Sequence, residues 1–181
     1  MKNIYKLLFC LVICLQNCER DDICAEGTQT TPLLLVEFYD INSTEDLKSV
    51  PRLTAYGENL PDPNPPESEG PKTLIFNTNT NALALPLLIG NEGEIITSRF
   101  VLEQNTNLRL DENDTTTSNT DIIEISYIPE FLYVSRACGY KSIFTQLNVN
   151  LEDETNAWIS AIEIVETTIE NENTVHVRIF H

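Results

Sequence analysis

Two histidines, five cysteines and 28 acidic residues carry whatever chemistry this chain has beyond solubility. Nucleophilic catalysis needs a base beside a hydroxyl or thiol. His176 would be that base, but it alternates with Val175 and Val177 and shares Arg178's side, so it reads as the exposed histidine of a strand's wet face. His176 and His181 stand five apart with no cysteine beside them, a poor zinc set. Asp111, Asn113 and Asp114 evoke a calcium loop, since hard cations want convergent oxygens. Thr116, however, stands where such a loop turns on glycine, and Ile122 where the bidentate glutamate belongs. The 111–121 stretch therefore reads as a solvated turn. The chain lacks GxSxG, HExxH and a phosphate-cradling glycine loop, and its many carboxylates single out no pair for glycoside hydrolysis. No catalytic residue, metal or cofactor is expected, and the chain reads as a non-enzyme.

The cysteines say more. Met1 to Lys6 carries two lysines, and Leu7 to Leu15 (LLFCLVICL) is an unbroken apolar run. That is a secretory pattern, and nine residues fall far short of the roughly 20 that span a bilayer. Leu15-Gln16-Asn17-Cys18 resembles a lipobox, with Asn17 in place of the usual small residue. Residues 1–17 are thus expected to be a lipoprotein signal peptide and Cys18 the acylated N-terminus. Cleavage removes Cys10 and Cys14, and lipid occupies Cys18. Cys24 and Cys138 remain, and in an oxidising compartment two leftover thiols imply one disulfide. The competing reading is a pair of buried free thiols.

Cleavage leaves 164 of the 181 residues and takes the formal net charge from −17 to −19. Such a field repels nucleic acid and anionic membrane surfaces. Cys18-Glu19-Arg20-Asp21-Asp22 opens a charged tether and N-terminal segment over 18–32, and residues 33–181 form one domain.

The elements that would hold these residues are strands. Leu33 to Tyr39, Lys72 to Asn77 and Ala82 to Leu88 are short apolar runs. Ile96, Phe100 and Leu102 alternate with Thr97, Arg99 and Glu103; Ile123, Ile125 and Tyr127 alternate with Glu124 and Ser126. A period of two with β-branched and aromatic residues marks half-buried strands. Nine or ten short strands with polar turns predict an all-β protein, a single sandwich of immunoglobulin-like or related type. Ser43 to Lys48 is the one stretch with the makings of a helical turn. The Pro-rich 59–71 stretch reads as an exposed connection, and 111–121 as a long hairpin loop. In Phe131 to Cys138 (FLYVSRAC), alternation puts Arg136 beside Leu132, Val134 and Cys138. An arginine near a core face pairs with a carboxylate or snorkels. With Cys24 bridged to Cys138, Asp22 or Glu26 comes within reach as its structural partner; ligand recognition by Arg136 is the alternative. Trp158, Ile162 and Ile164 read as core.

Asp21 to Asp40 (DDICAEGTQTTPLLLVEFYD) and Tyr127 to Tyr140 (YIPEFLYVSRACGY) resemble the Bacteroidota lipoproteins grouped as domain-of-unknown-function family 6452. The acidic residues after Cys18 likewise resemble the surface-export signals of such lipoproteins, although a solvated spacer explains the same letters. The resemblance implies an envelope location and a shared fold, and it implies no activity. The expected protein is a lipid-anchored outer-membrane lipoprotein, on the periplasmic or cell-surface side, with a structural or accessory binding role beside an envelope protein partner. The alternative is a surface carbohydrate- or peptide-binding module.

Overall fold

The computed structural model describes residues 23–24, 30–59, 65–111, 116–152 and 155–181. Among these are ten strands: β1 (Leu34–Asp40), β2 (Ser43–Leu47), β3 (Val50–Gly57), β4 (Thr73–Thr80), β5 (Ala82–Leu85), β6 (Ile96–Gln104), β7 (Asn119–Ser135), β8 (Gly139–Leu151), β9 (Ala161–Ile164) and β10 (Val177–Phe180). One five-residue helix, α1 (Thr106–Leu110), sits in the β6–β7 connection. The expected β-sandwich is the observed fold.

One sheet runs β2-β1-β10-β9, with β5 also on β1; the other runs β4-β3-β6-β7-β8. β1 and β10 pair in parallel, Val36 opposite Val177 and Phe38 opposite Ile179. After β4 the chain crosses between sheets at Asn81, whose carbonyl accepts the Phe38 amide at 2.9 Å. The inward rows form one core: Leu34, Val36 and Phe38 from β1, Ile179 from β10, and Leu102, Ile123, Ile125 and Phe144 from the opposite sheet. Trp158 closes one side of it, its ring 6.2 Å from Phe38 and its indole N–H donating to the Leu102 carbonyl at 3.2 Å.

Three local expectations change. Ser43 to Leu47 is a strand, not a helical turn, pairing with the end of β1 as an edge with every residue exposed. The 111–121 stretch does join a hairpin, since Gln104 pairs with Asn119, but α1 precedes it. β7 and β8 are not short: they hold 17 and 13 residues.

The length of β7 carries it beyond its sheet. Its pairing with β6 stops at Ile96–Tyr127, whereas its pairing with β8 continues to Ser135–Gly139. Pro129 sits just past that stop, where a strand can lack an N–H without breaking a ladder. There the turn before β6 takes over, Gly93 N–H donating to the Pro129 carbonyl and Phe131 N–H to the Glu92 carboxylate. Between Ser126–Asn148 and Ile128–Thr145 a bulge sets Gln146 and Leu147 of β8 against Tyr127 alone, with Gln146 at φ +55°. The outer part of the hairpin is thereby re-aimed as a two-stranded ribbon.

Candidate functional site

The ribbon is built from the stretch that the sequence singled out. Tyr133 pairs with Tyr140, their rings edge to face at 5.5 Å. Ser135 closes the turn, its hydroxyl accepting the Cys138 N–H at 3.0 Å, and Gly139 takes the positive φ of +71° that a side chain would resist. An isolated two-stranded ribbon is marginal in water. Here the N-terminal segment fastens it at two points. Cys24 and Cys138 form a disulfide across 114 residues, with Cα atoms 4.7 Å apart. The Ser142 N–H donates to the Thr30 carbonyl at 2.7 Å. The two-thiol reading of the sequence is thus realised, and the free-thiol alternative is not.

Arg136 is placed differently from its expectation. It lies in the turn beyond β7, exposed, because the strand ends at Ser135 and alternation no longer governs it. Leu132 and Val134, its supposed core companions, are exposed as well. Its expected partners Asp22 and Glu26 lie outside the described residues, as do Cys18, the expected acylation site, and the calcium-like Asn113 and Asp114. Among the described residues no acidic side chain pairs with Arg136, and no group of three or more ligating side chains could hold a metal ion.

His176 overturns its expectation. It is 2 % exposed, and its Nδ1 accepts the Leu35 N–H at 2.9 Å while its own backbone N–H donates to the Leu35 carbonyl at 3.0 Å. It therefore extends the β1–β10 ladder with a side chain. Burial pushes its pKa down, against the pull of the Asn171 backbone, Glu166 and Glu172. His181 packs edge-on against Trp158 and Phe38, and burial lowers its pKa too. Its backbone carbonyl receives the Lys48 ammonium at 2.7 Å. Both rings are structural partners with neutral imidazoles.

Two charged clusters were not foreseen. Glu103, 1 % exposed, takes a two-pronged grip from Arg109 of α1, at 2.6 and 2.9 Å. Burial pushes its carboxyl up, but Arg109, Ser118 and Thr106 together outweigh that and hold it below the usual range. Arg109 also donates to the Pro66 carbonyl at 2.8 Å, so one side chain ties the Pro-rich connection to the β6–β7 connection. On the outer face of the same sheet, Arg99 meets Glu58, Glu124 and Glu152 at 2.6, 3.0 and 2.8 Å. Arg99 itself lines a groove of about 420 Å³, whose apolar walls are Leu74, Pro86, Leu87, Leu88 and Phe100 and whose polar ones include Glu58, Asn59, Thr97 and Ser98.

The sequence pattern of a family of unknown function, DUF6452, matches residues 68–181. The chain belongs to the DUF6452 family. The match takes in the YVSRACGY stretch of the ribbon, the buried Glu103–Arg109 pair and His176, and it begins after β3. Comparison with curated proteins and with solved structures finds no match. In this DUF6452 member the sequence foresaw the bridged cysteines and the core tryptophan. It missed Glu103 and Arg109, whose six-residue spacing across a strand end and a helical turn carries no recognisable signal.

Proposed function

We propose that the chain is a membrane-anchored lipoprotein of the cell envelope that works without catalysis, as a structural or accessory binding subunit. One observation carries the reading. Cys24 is bridged to Cys138, so Cys18 is the single cysteine left without a partner once a signal ending at Asn17 is gone. A lipid there would enter the fold through a covalent clamp six residues on, which suits a chain that holds position under load. Several acyl chains at about 0.8 kcal/mol per buried CH₂ make such an anchor durable. The rings of His176, which is buried, and His181, which is half-buried, favour a non-catalytic role, because each is engaged with a backbone group. A carbohydrate-binding module calls for exposed rings in a cleft. The groove at Arg99 mixes aliphatic walls (Leu74, Pro86, Leu87, Leu88) with polar ones (Glu58, Asn59, Thr97, Ser98), and its one aromatic ring, Phe100, belongs to the core, which favours a protein partner.

Intact mass of the chain purified from its native membrane tests the reading. A diacyl or triacyl adduct on Cys18, with two thiols that alkylate only after reduction, is the expected result. A mature chain that begins elsewhere, or carries no lipid, would overturn it.

A further inference from the structure

Five of the molecule's exposed large apolar side chains gather at one place. Leu132, Tyr133, Val134 and Tyr140 are 41 %, 59 %, 39 % and 64 % exposed on the ribbon, and Ile23, at 85 %, precedes the cysteine bridged to its turn. Water exposure of that much apolar surface at the far end of a ribbon asks for a cover. The chain itself indicates which. From Tyr127, where β6 stops, to Ser135 the ribbon advances eight residues, roughly 27 Å at about 3.4 Å per residue. The disulfide fixes the N-terminal segment to that tip. Cys24 then stands only six positions after Cys18, at most about 21 Å of extended chain.

We propose that the β7–β8 ribbon tip is a membrane-docking surface that inserts its apolar and tyrosine side chains into the interface of a zwitterionic bilayer. The inference rests on the lipid-anchor reading of Cys18, which confines the tip within a short tether of the bilayer. Tyrosine suits this role, because its ring prefers the headgroup level, where one edge is apolar and the hydroxyl stays wet. Arg136 and Lys141 flank the tip and can snorkel to phosphates. The acidic remainder of the chain repels an anionic surface, so the matching lipid is zwitterionic. Docking would hold the sandwich end-on, its Arg99 groove free of the bilayer surface.

The test uses the full lipidated chain in phosphatidylcholine vesicles, with and without brominated acyl chains. Tyr140→Trp reports from the tip, Tyr133→Trp is the second variant, and Leu47→Trp on β2 is an exposed comparator. Native Trp158, buried in the core, reports that each variant is folded. The expected result is a blue shift of the tip tryptophan on reconstitution and quenching by brominated lipid several-fold stronger than for Leu47→Trp. A chain that floats with the vesicles while both tip tryptophans stay red-emitting and unquenched overturns this inference and leaves the anchor standing. A blue shift without lipid, accompanied by a doubled mass, assigns the tip to a second copy and overturns it as well. A chain with no acyl group that fails to float overturns the anchor and the docking together.

Discussion

Removing the Cys24–Cys138 bridge, by Cys24→Ala with Cys138→Ala or by reduction, should cost the fold several kcal/mol. The bridge closes a loop of 114 residues in sequence. The chain-entropy treatment credits a loop of that size with about 5 kcal/mol, because the unfolded chain regains the freedom that the bridge denied it. The native state recovers part of this. Once unbridged, the segment ahead of β1 keeps, among the described residues, the Ser142–Thr30 hydrogen bond on the ribbon and can detach, gaining roughly 1–2 kcal/mol of backbone entropy per freed residue against its lost contacts. The net loss should therefore fall between about 2 and 5 kcal/mol. At roughly 2–4 °C per kcal/mol for a chain of this size, Tm should drop by about 5–20 °C. Urea unfolding of the chain from residue 18, followed by Trp158 emission and far-ultraviolet circular dichroism, measures it directly. The m-value should rise, since an unbridged unfolded chain exposes more surface. A loss under about 1 kcal/mol with an unchanged m-value would refute the reasoning, because the bridge would then not constrain the unfolded ensemble.

Arg109→Met should destabilise the protein by about 3–5 kcal/mol at neutral pH, since it strands the Glu103 charge in the interior. It should also reverse an acid response. In the wild type Glu103 titrates below its unfolded value, so its contribution is present above about pH 4.5 and lost as pH falls through the folded pKa. In the variant burial raises that pKa, and acidification from neutral should recover stability, as a urea midpoint series would reveal. Both histidines have depressed folded pKa values, so the unfolded chain binds protons that the folded chain refuses. Stability should accordingly fall as pH drops below about 6.5, by up to about 1.4 kcal/mol per pH unit for each ring, and His176→Gln should flatten the slope measured by pH-dependent unfolding. Arg99→Gln leaves Glu58, Glu124 and Glu152 facing one another. Added sodium chloride should raise the variant's unfolding midpoint by screening that repulsion, and a midpoint indifferent to salt would show that the carboxylates simply swing apart.

The fold was legible in the sequence where one face of a strand is wet and the other dry. Ile123, Ile125 and Tyr127 alternate with Glu124 and Ser126, and the structure buries the first set deepest. A period of two, however, does not reveal whether the second face is covered. Glu103 shares its side of β6 with Val101, and both are buried, because α1 and Arg109 close over that end of the strand. His176 was misread for a different reason: it stands just ahead of β10, which begins at Val177, and its ring turns to the Leu35 N–H instead of to water. Ser43 to Leu47 showed no strand signal because an edge with all five residues exposed has no apolar row to display. Arg136 was lost when alternation was carried past the end of a strand into a turn. The bridge was legible for a chemical reason instead, since counting thiols against a signal and an oxidising compartment needs no geometry.

The parallel pairing of β1 with β10 sets a timetable for folding. Val36 and its partner Val177 stand 141 residues apart, so a chain emerging N-terminus first makes β1 long before its neighbour exists. The β6–β7–β8 meander joins strands adjacent in sequence and can form as soon as Leu151 is free. The sheet that holds β1 and β10 is the late product, since contacts of large sequence separation are the slow ones. Until β10 arrives, Val36 and Phe38 lie bare on an open edge, an invitation to foreign strands. A chain that reaches its final compartment before that step would owe its solubility in the interval to its acidic surface.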